Sequence, residues 1–168
     1  MSIHLFEETK KLDYFNCNIF YYNSYFVLPL SQMNNTRFAT AIHIMTLLAH
    51  YPNEWLSSDF IAGSININPV IVRKELIVLR EAGFIESKMG KDGGCRLAKD
   101  ASEILISEIY DAVKNGDVLG KKNQNPNPKC DVGRDINQNL QLLFNETDTL
   151  ITQFLKQKSL SDFALLFA

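Results

Sequence analysis

With 168 residues, 46 % of them apolar and 21 % charged, the chain has the composition of a folded globular protein and enough length for one core with appendages. No apolar run approaches the ~20 residues that cross a bilayer. Residues 1–32 lack the basic start, clean apolar stretch and small-residue cleavage site of a secretory leader, and three scattered cysteines argue against a disulfide framework and suit a reducing cytoplasm.

In chain order, residues 1–32 stand apart as an N-terminal extension. They are rich in Phe, Tyr and Asn (Tyr14-Phe15-Asn16, Phe20-Tyr21-Tyr22-Asn23) and show no clean period. They read either as an aromatic arm or as a segment upstream of a natural start at Met33. A body from 33 to 114 follows. Its first helix is expected over Phe38 to His50, where Ala41, Ile42, Met45, Leu48 and Ala49 recur on one side. Asn34, Asn35 or Thr36 can cap it, and Tyr51-Pro52-Asn53 stops it. Arg37 falls in the first turn, where the macrodipole disfavours a cation; it either reaches a phosphate or is solvated. His43 and His50 have no neighbours at metal-ligand spacing.

Ser57 or Ser58 can cap a second helix through Ala62, which Gly63 and Ser64 are expected to end. Asn68-Pro69 restarts helix: asparagine is a good N-cap, and the missing N–H of proline costs nothing at the first helical position. Val72, Leu76 and Leu79 then share a stripe up to Ala82, with Gly83 as terminator. Phe84 to Lys88, the turn Gly90-Lys91-Asp92-Gly93-Gly94 and Cys95-Arg96-Leu97 read as a hairpin. The expected fold is therefore mainly α with a small β-hairpin wing (α+β), a winged helix-turn-helix. The commonest use of such a domain is binding duplex DNA. The net charge of −2 does not oppose this. Residues 69–99 carry seven basic side chains against four acidic ones, a local +3 that leaves −5 for the rest. Local positive charge favours counterion release from phosphates. Because +3 is modest, two copies on one site are expected.

Beyond the wing, a helix from Ser102 or Leu105 to Lys114 buries Ile106, Ile109, Tyr110 and Val113. Residues 115–134 form a polar, sensor-type loop that contains Asn125-Pro126-Asn127-Pro128 and Cys130. In the region 135–168 a long helix is expected, from Val132 or Asp135 to Lys158. Its apolar residues Ile136, Leu140, Leu143, Phe144, Leu150, Ile151, Phe154 and Leu155 step by three and four. Such a stripe either packs back along the body or meets a second copy in a two-fold homodimer. Residues 159–167 suggest a last short helix.

The N-terminal turn of the recognition helix should face base edges, which nominates Asn68, Val70, Ile71, Arg73 and Lys74. Asn68 either caps the helix or reaches a base, and Val70 and Ile71 can meet thymine methyl groups, although Ile71 can equally pack on the first helix. Arg73 is the leading candidate for direct readout; Lys74, Arg80, Lys88, Lys91 and Arg96 suit phosphates. Cys130, beside Lys129 and near a helix N-terminus, is a candidate redox or electrophile sensor, with an inert cysteine as the alternative. Paired carboxylates, a Ser/His/Asp set, phosphate-cradling loops and metal-spaced His/Cys clusters are absent from the sequence, so neither enzymatic chemistry nor a cofactor is expected. The rival reading is a protein-binding winged helix without sequence-specific DNA recognition. Salt discriminates the two, because only a DNA mode weakens steeply with ionic strength.

Together these segments resemble the Rrf-two family of bacterial winged helix-turn-helix transcription regulators, from Met33 to about Phe163. The carrying pieces are Arg37 to Met45, Ile67 to Lys74, Leu79 to Ile85, Gly90 to Leu97 and Ile104 to Val113. Asn125 to Gly133 looks like a clusterless branch of that family. The resemblance implies a transcription regulator, a repressor in the cytoplasm, that binds DNA as a homodimer joined through the long helix. Recognition helices would lie in adjacent major grooves, with wings at the minor groove. Iron–sulfur members use three cysteines before the long helix, whereas this loop has only Cys130, so the cluster does not carry over. Many members also have arginine before the first wing glycine. Met89 stands there, and Lys88 and Lys91 supply charge without arginine's flat fork.

Overall fold

In the computed structural model, which describes residues 36–90 and 93–167, apolar periodicity becomes a core of four helices and a closing segment. Helix α1 (Arg37–His50) turns Ala41, Ile44, Met45 and Leu48 inward, and all four are fully enclosed. Thr36 stands at its N-cap without a side-chain hydrogen bond. Helix α2 (Ser58–Ile65) is capped by Ser57, whose hydroxyl accepts the Phe60 N–H at 3.2 Å. It does not stop at Gly63-Ser64. Both residues are exposed inside the helix, and the chain leaves it at Asn66, in the left-handed region at φ 60°. Buried Ile61 and Ala62 anchor this turn, which outweighs the ~1 kcal/mol helix penalty of one glycine. Asparagine is among the few residues that tolerate the left-handed exit.

Helix α3 (Pro69–Glu81) starts at the Asn68 cap as expected and ends before Gly83, which has φ 76°. Val72 and Leu79 are fully buried while Leu76 is half-buried. Strands β1 (Ile85–Lys88) and β2 (Gly94–Leu97) pair antiparallel, with Ile85 opposite Leu97 and Lys88 opposite Gly94. The hairpin is tied to the body by a bridge: Leu56 N–H donates to the Cys95 carbonyl at 3.0 Å and Cys95 N–H to the Leu56 carbonyl at 2.9 Å. A Cβ on residue 94 would stand 2.6 Å from the Leu56 carbonyl oxygen, so the close approach requires Gly94.

After the wing, Ala101–Glu103 forms one 3₁₀ turn, and α4 (Ile106–Val113) begins later than the first expected cap. Leu105 is held extended by a bridge to Ser159, which delays helix entry. Helix α5 (Asp131–Leu155) follows the polar loop, with Cys130 at its N-cap, and stops short of Lys158. Its end is set by that same bridge: Ile106 N–H donates to the Lys158 carbonyl at 2.9 Å and Leu160 N–H to the Ile104 carbonyl at 2.8 Å. The chain is thereby stitched back into the body. Ser159 and Asp162 form a reciprocal capping box for α6 (Leu160–Ala164), Leu160 is fully buried, and a 3₁₀ turn, Leu165–Phe167, follows. No helix among the described residues is long and apolar enough to cross a membrane.

Candidate nucleic-acid interface

The N-terminal half of α3 forms the exposed ridge. Val70 is 51 % and Ile71 48 % accessible, large apolar side chains left in water at the surface the sequence nominated. Ile71 is therefore not packed into the core. The Asn68 side-chain carbonyl accepts the Val70 N–H at 2.8 Å, so asparagine acts as the cap. Arg73 is exposed but not loose. Its Nε donates to Ser58 Oγ and its Nη2 to Asp59 Oδ1, both at 3.1 Å. Ser58 and Asp59 lie in the first turn of α2, so the guanidinium is held between the two helices of the motif, with the Nη1 donors left for another acceptor. Lys74 and Arg80 are exposed, and neither forms an ion pair among the described residues.

Arg37 departs from the phosphate-reaching or solvated expectation. It forms a two-pronged pair with Glu75 of α3, Nε to Oε1 at 2.8 Å and Nη2 to Oε2 at 3.1 Å. Glu75 is buried, and its hydrogen bond raises the Arg37 pKa further above its ordinary value, against a smaller opposing effect of burial. The pair locks α3 to α1. Periodicity could not reveal it, because Glu75 lies beside the apolar stripe and reads as a solvated charge until α1 is placed over it.

At the wing, the Arg96 guanidinium carbon stands 4.5 Å from the Trp55 ring centre and Lys88 Nζ 6.0 Å from it, with Arg96 Nε also donating to Glu86. Trp55 was not among the sequence candidates. It holds two of the wing's cations by cation–π attraction, and nothing in its local spacing signals the Arg96 contact, which joins residues some forty positions apart. Lys91 lies outside the described residues, as do the aromatic segment 1–32 and Cys17.

The long helix places its eight stripe residues unequally. Phe144 is buried, Leu155 packs on the body's core, and Ile136, Leu140 and Ile151 are half-buried. Leu143, Leu150 and Phe154 are 51 %, 66 % and 59 % exposed, joined by Val132 and Leu142 at 67 % and 57 %. One edge of α5 meets α4, so the helix has an intrachain partner that the stripe alone did not disclose. Its other side stays open. Cys130 is exposed. Cys95 is buried, and burial pushes its thiol up to about 11.

Comparison with known proteins agrees with this arrangement. A family model for Rrf2, described as an iron-dependent transcriptional regulator, matches residues 34–165. YwnA of Bacillus subtilis, provisionally named an HTH-type transcriptional regulator, is 39 % identical over 130 residues, 77 % of this chain and 96 % of YwnA. A crystal structure described provisionally as a DNA-binding protein is 36 % identical with a TM-score of 0.61, covering 76 % of this chain and 97 % of that one. CymR, the global cysteine regulator of Bacillus subtilis, shares the fold at a TM-score of 0.58 and 20 % identity, over 78 % of this chain and 95 % of CymR. The iron in the family's description does not fit the described residues. No three His, Cys, Asp or Glu side chains among them come together to hold a metal, Cys130 stands alone in its loop, and Cys95 is enclosed in the wing. A winged helix-turn-helix, the match across 34–165 and near-complete coverage of YwnA place this chain in the Rrf2 family of transcriptional regulators.

Proposed function

We propose that this chain is a sequence-specific repressor that binds a two-fold operator in duplex DNA as a homodimer. The carrying observation is the exposed α3 ridge, with Val70 and Ile71 in water and Arg73 held between α2 and α3. Arginine pairs bidentately with guanine in the major groove, and apolar side chains meet thymine methyl groups. Lys74, Arg80, Lys88, Lys91 and Arg96 supply phosphate contacts, which set affinity and register. Asn68 caps α3 and so fixes the turn that presents Val70 and Ile71. Arg37, committed to Glu75, acts by holding α3 in place.

The homodimer is supported by the exposed residues of α5, since Leu143, Leu150 and Phe154 form an apolar patch next to Phe144. Ile136, Leu140, Ile151 and Leu155 flank it. Two-fold pairing would double the modest local charge and present two recognition helices to half-sites about one helical turn apart. Repression by occupancy of the operator is proposed with it, in the cytoplasm, where such a regulator meets the chromosome. Cys130 is the proposed sensor, because it is exposed at the start of the dimer helix while Cys95 is enclosed.

Selection of bound duplexes from a random pool tests this reading. Enrichment of a palindrome, with affinity falling steeply as salt rises, is the expected result. Binding to a protein partner with little salt dependence and no enriched DNA would favour the protein-binding alternative.

A further inference from the structure

We propose that the cleft between the outer face of α1 and the C-terminal segment binds a neutral, ring-containing small molecule, and that its occupancy is felt by the DNA-reading helices. The cleft, half open to solvent, offers about 440 Å³ between Ile42, Thr46, Leu47 and Tyr51 on one side and Phe163 and Phe167 on the other. That volume lies in the range of ligand sites, about 300–1,000 Å³. A sphere of that volume would be about 9 Å across, room for two fused rings. Among the described residues no carboxylate, ammonium or guanidinium lines it, and its polar groups include the His43 and His50 imidazoles and the Thr46 hydroxyl, so an ion would lose much of its hydration there with no fixed counter-charge. The site therefore favours a neutral ligand with aromatic surface.

One polar group in the wall is unsatisfied. The Thr46 hydroxyl is buried and finds no hydrogen-bond partner among the described residues. Such a group carries a standing cost, which a ligand with one hydrogen-bonding group can relieve. Threonine has two accessible χ1 wells in a helix, and a rotation between them redirects the hydroxyl.

Two contacts lead from the cleft wall to α2. His43 Nε2 lies 3.0 Å from Ser64 Oγ, and the Tyr51 ring stands edge-on to Phe60 at 5.9 Å between centroids. Both partners belong to α2, the helix whose Ser58 and Asp59 hold Arg73. A ligand that reorients His43 or Tyr51 moves the groups that aim the reading arginine. This coupling rests on the DNA-binding function proposed above; the binding site does not.

Titration of the full chain with 5-fluoroindole, followed by fluorine NMR, tests the site. Saturable binding is expected, with Ala39→Trp, which fills the cleft from an exposed position in α1, weakening it at least tenfold. Thr46→Val should weaken it severalfold without lowering the unfolding temperature, because the lost hydroxyl had no partner. Saturating probe should change affinity for DNA selected from a random pool at least threefold in the wild type and not in Ala39→Trp. Absence of saturable binding, binding unaffected by both variants, or unchanged DNA affinity would overturn the proposal. So would conversion of a dimer to monomers by Ala39→Trp, which would assign the cleft to a second copy. A protein that selects no DNA but shows the expected titration and variant effects would defeat the DNA-binding function while supporting the site.

Discussion

The body and the long helix use the same amphipathic code and reach opposite outcomes. In the body, Ile44, Met45, Leu48, Leu79, Ile109 and Val113 are all fully enclosed. Along the 25 residues of α5 only Phe144 is buried. Periodicity announces that a helix has an apolar face; the number of neighbouring elements decides whether one chain can cover it. Four helices, a hairpin and the returning segment 156–167 surround the body's core. Helix α5 has α4 along one edge and the preceding loop hydrogen-bonded to Asn137, Gln141 and Asp148, and it leaves Leu143, Leu150 and Phe154 exposed.

The largest expected difference comes from truncating each region. Ile109→Ala in the body should lower unfolding free energy by about 2–5 kcal/mol, the usual cost of a large-to-small change at a fully packed site. Leu150→Ala should cost less than about 0.5 kcal/mol in a monomer, as surface substitutions do, measured by denaturant titration at low protein concentration. Leu150→Glu or Phe154→Glu should turn a dimer into monomers in sedimentation. An unchanged dimer for both would remove the interface from this face.

Next in size is the pair that fastens α3 to α1. Arg37→Ala strands the buried Glu75 carboxylate and should destabilise by about 1–3 kcal/mol, below the figure for a fully buried pair because Arg37 is partly in water. Arg37→Ala with Glu75→Gln should recover part of the loss. No recovery in the double variant would mean that Arg37 contributes by packing alone.

On the reading surface, Arg73→Ala should flatten discrimination between selected and scrambled DNA by about 1–3 kcal/mol, whereas Lys74→Ala should weaken both and reduce the salt slope by about one. Equal losses on both duplexes for Arg73→Ala would make it a phosphate contact. Asp59→Ala removes one of Arg73's anchors and should give a smaller version of the Arg73→Ala effect.

The smallest expected effect separates the two described cysteines. A thiol raised to about 11 in the fold stays neutral at pH 8, so iodoacetamide should label Cys130 and spare Cys95 until the protein unfolds. Since the folded Cys95 value lies above the unfolded one, its contribution to stability is intact below about pH 8.5 and lost as pH rises toward 11. Cys95→Ala should remove that alkaline decline. DNA binding that responds to mild oxidation equally in wild type, Cys95→Ser and Cys130→Ser would exclude Cys130 as sensor.

Much of this was legible from residue order. The Asn68-Pro69 start, the Gly83 stop and the glycine-rich turn are local rules of backbone geometry, and they located α3 and the wing without any tertiary information. So did the exposed Val70 and Ile71, whose off-stripe placement follows from the 3.6-residue period. The Gly63-Ser64 break failed because a local preference of about 1 kcal/mol yields to the burial of Ile61 and Ala62 on the body.

By itself, the sequence determined which segments become helix or hairpin, where cations gather and that α5 carries an apolar face, since all of these depend on neighbours a few residues away. Tertiary structure alone decided the Arg37–Glu75 lock across 38 positions, the seating of Arg73 on Ser58 and Asp59, the support of Arg96 by Trp55 and the return of Leu160 to the core. These join side chains distant in sequence, and their pairing depends on how helices pack against one another, a relation that no local spacing encodes.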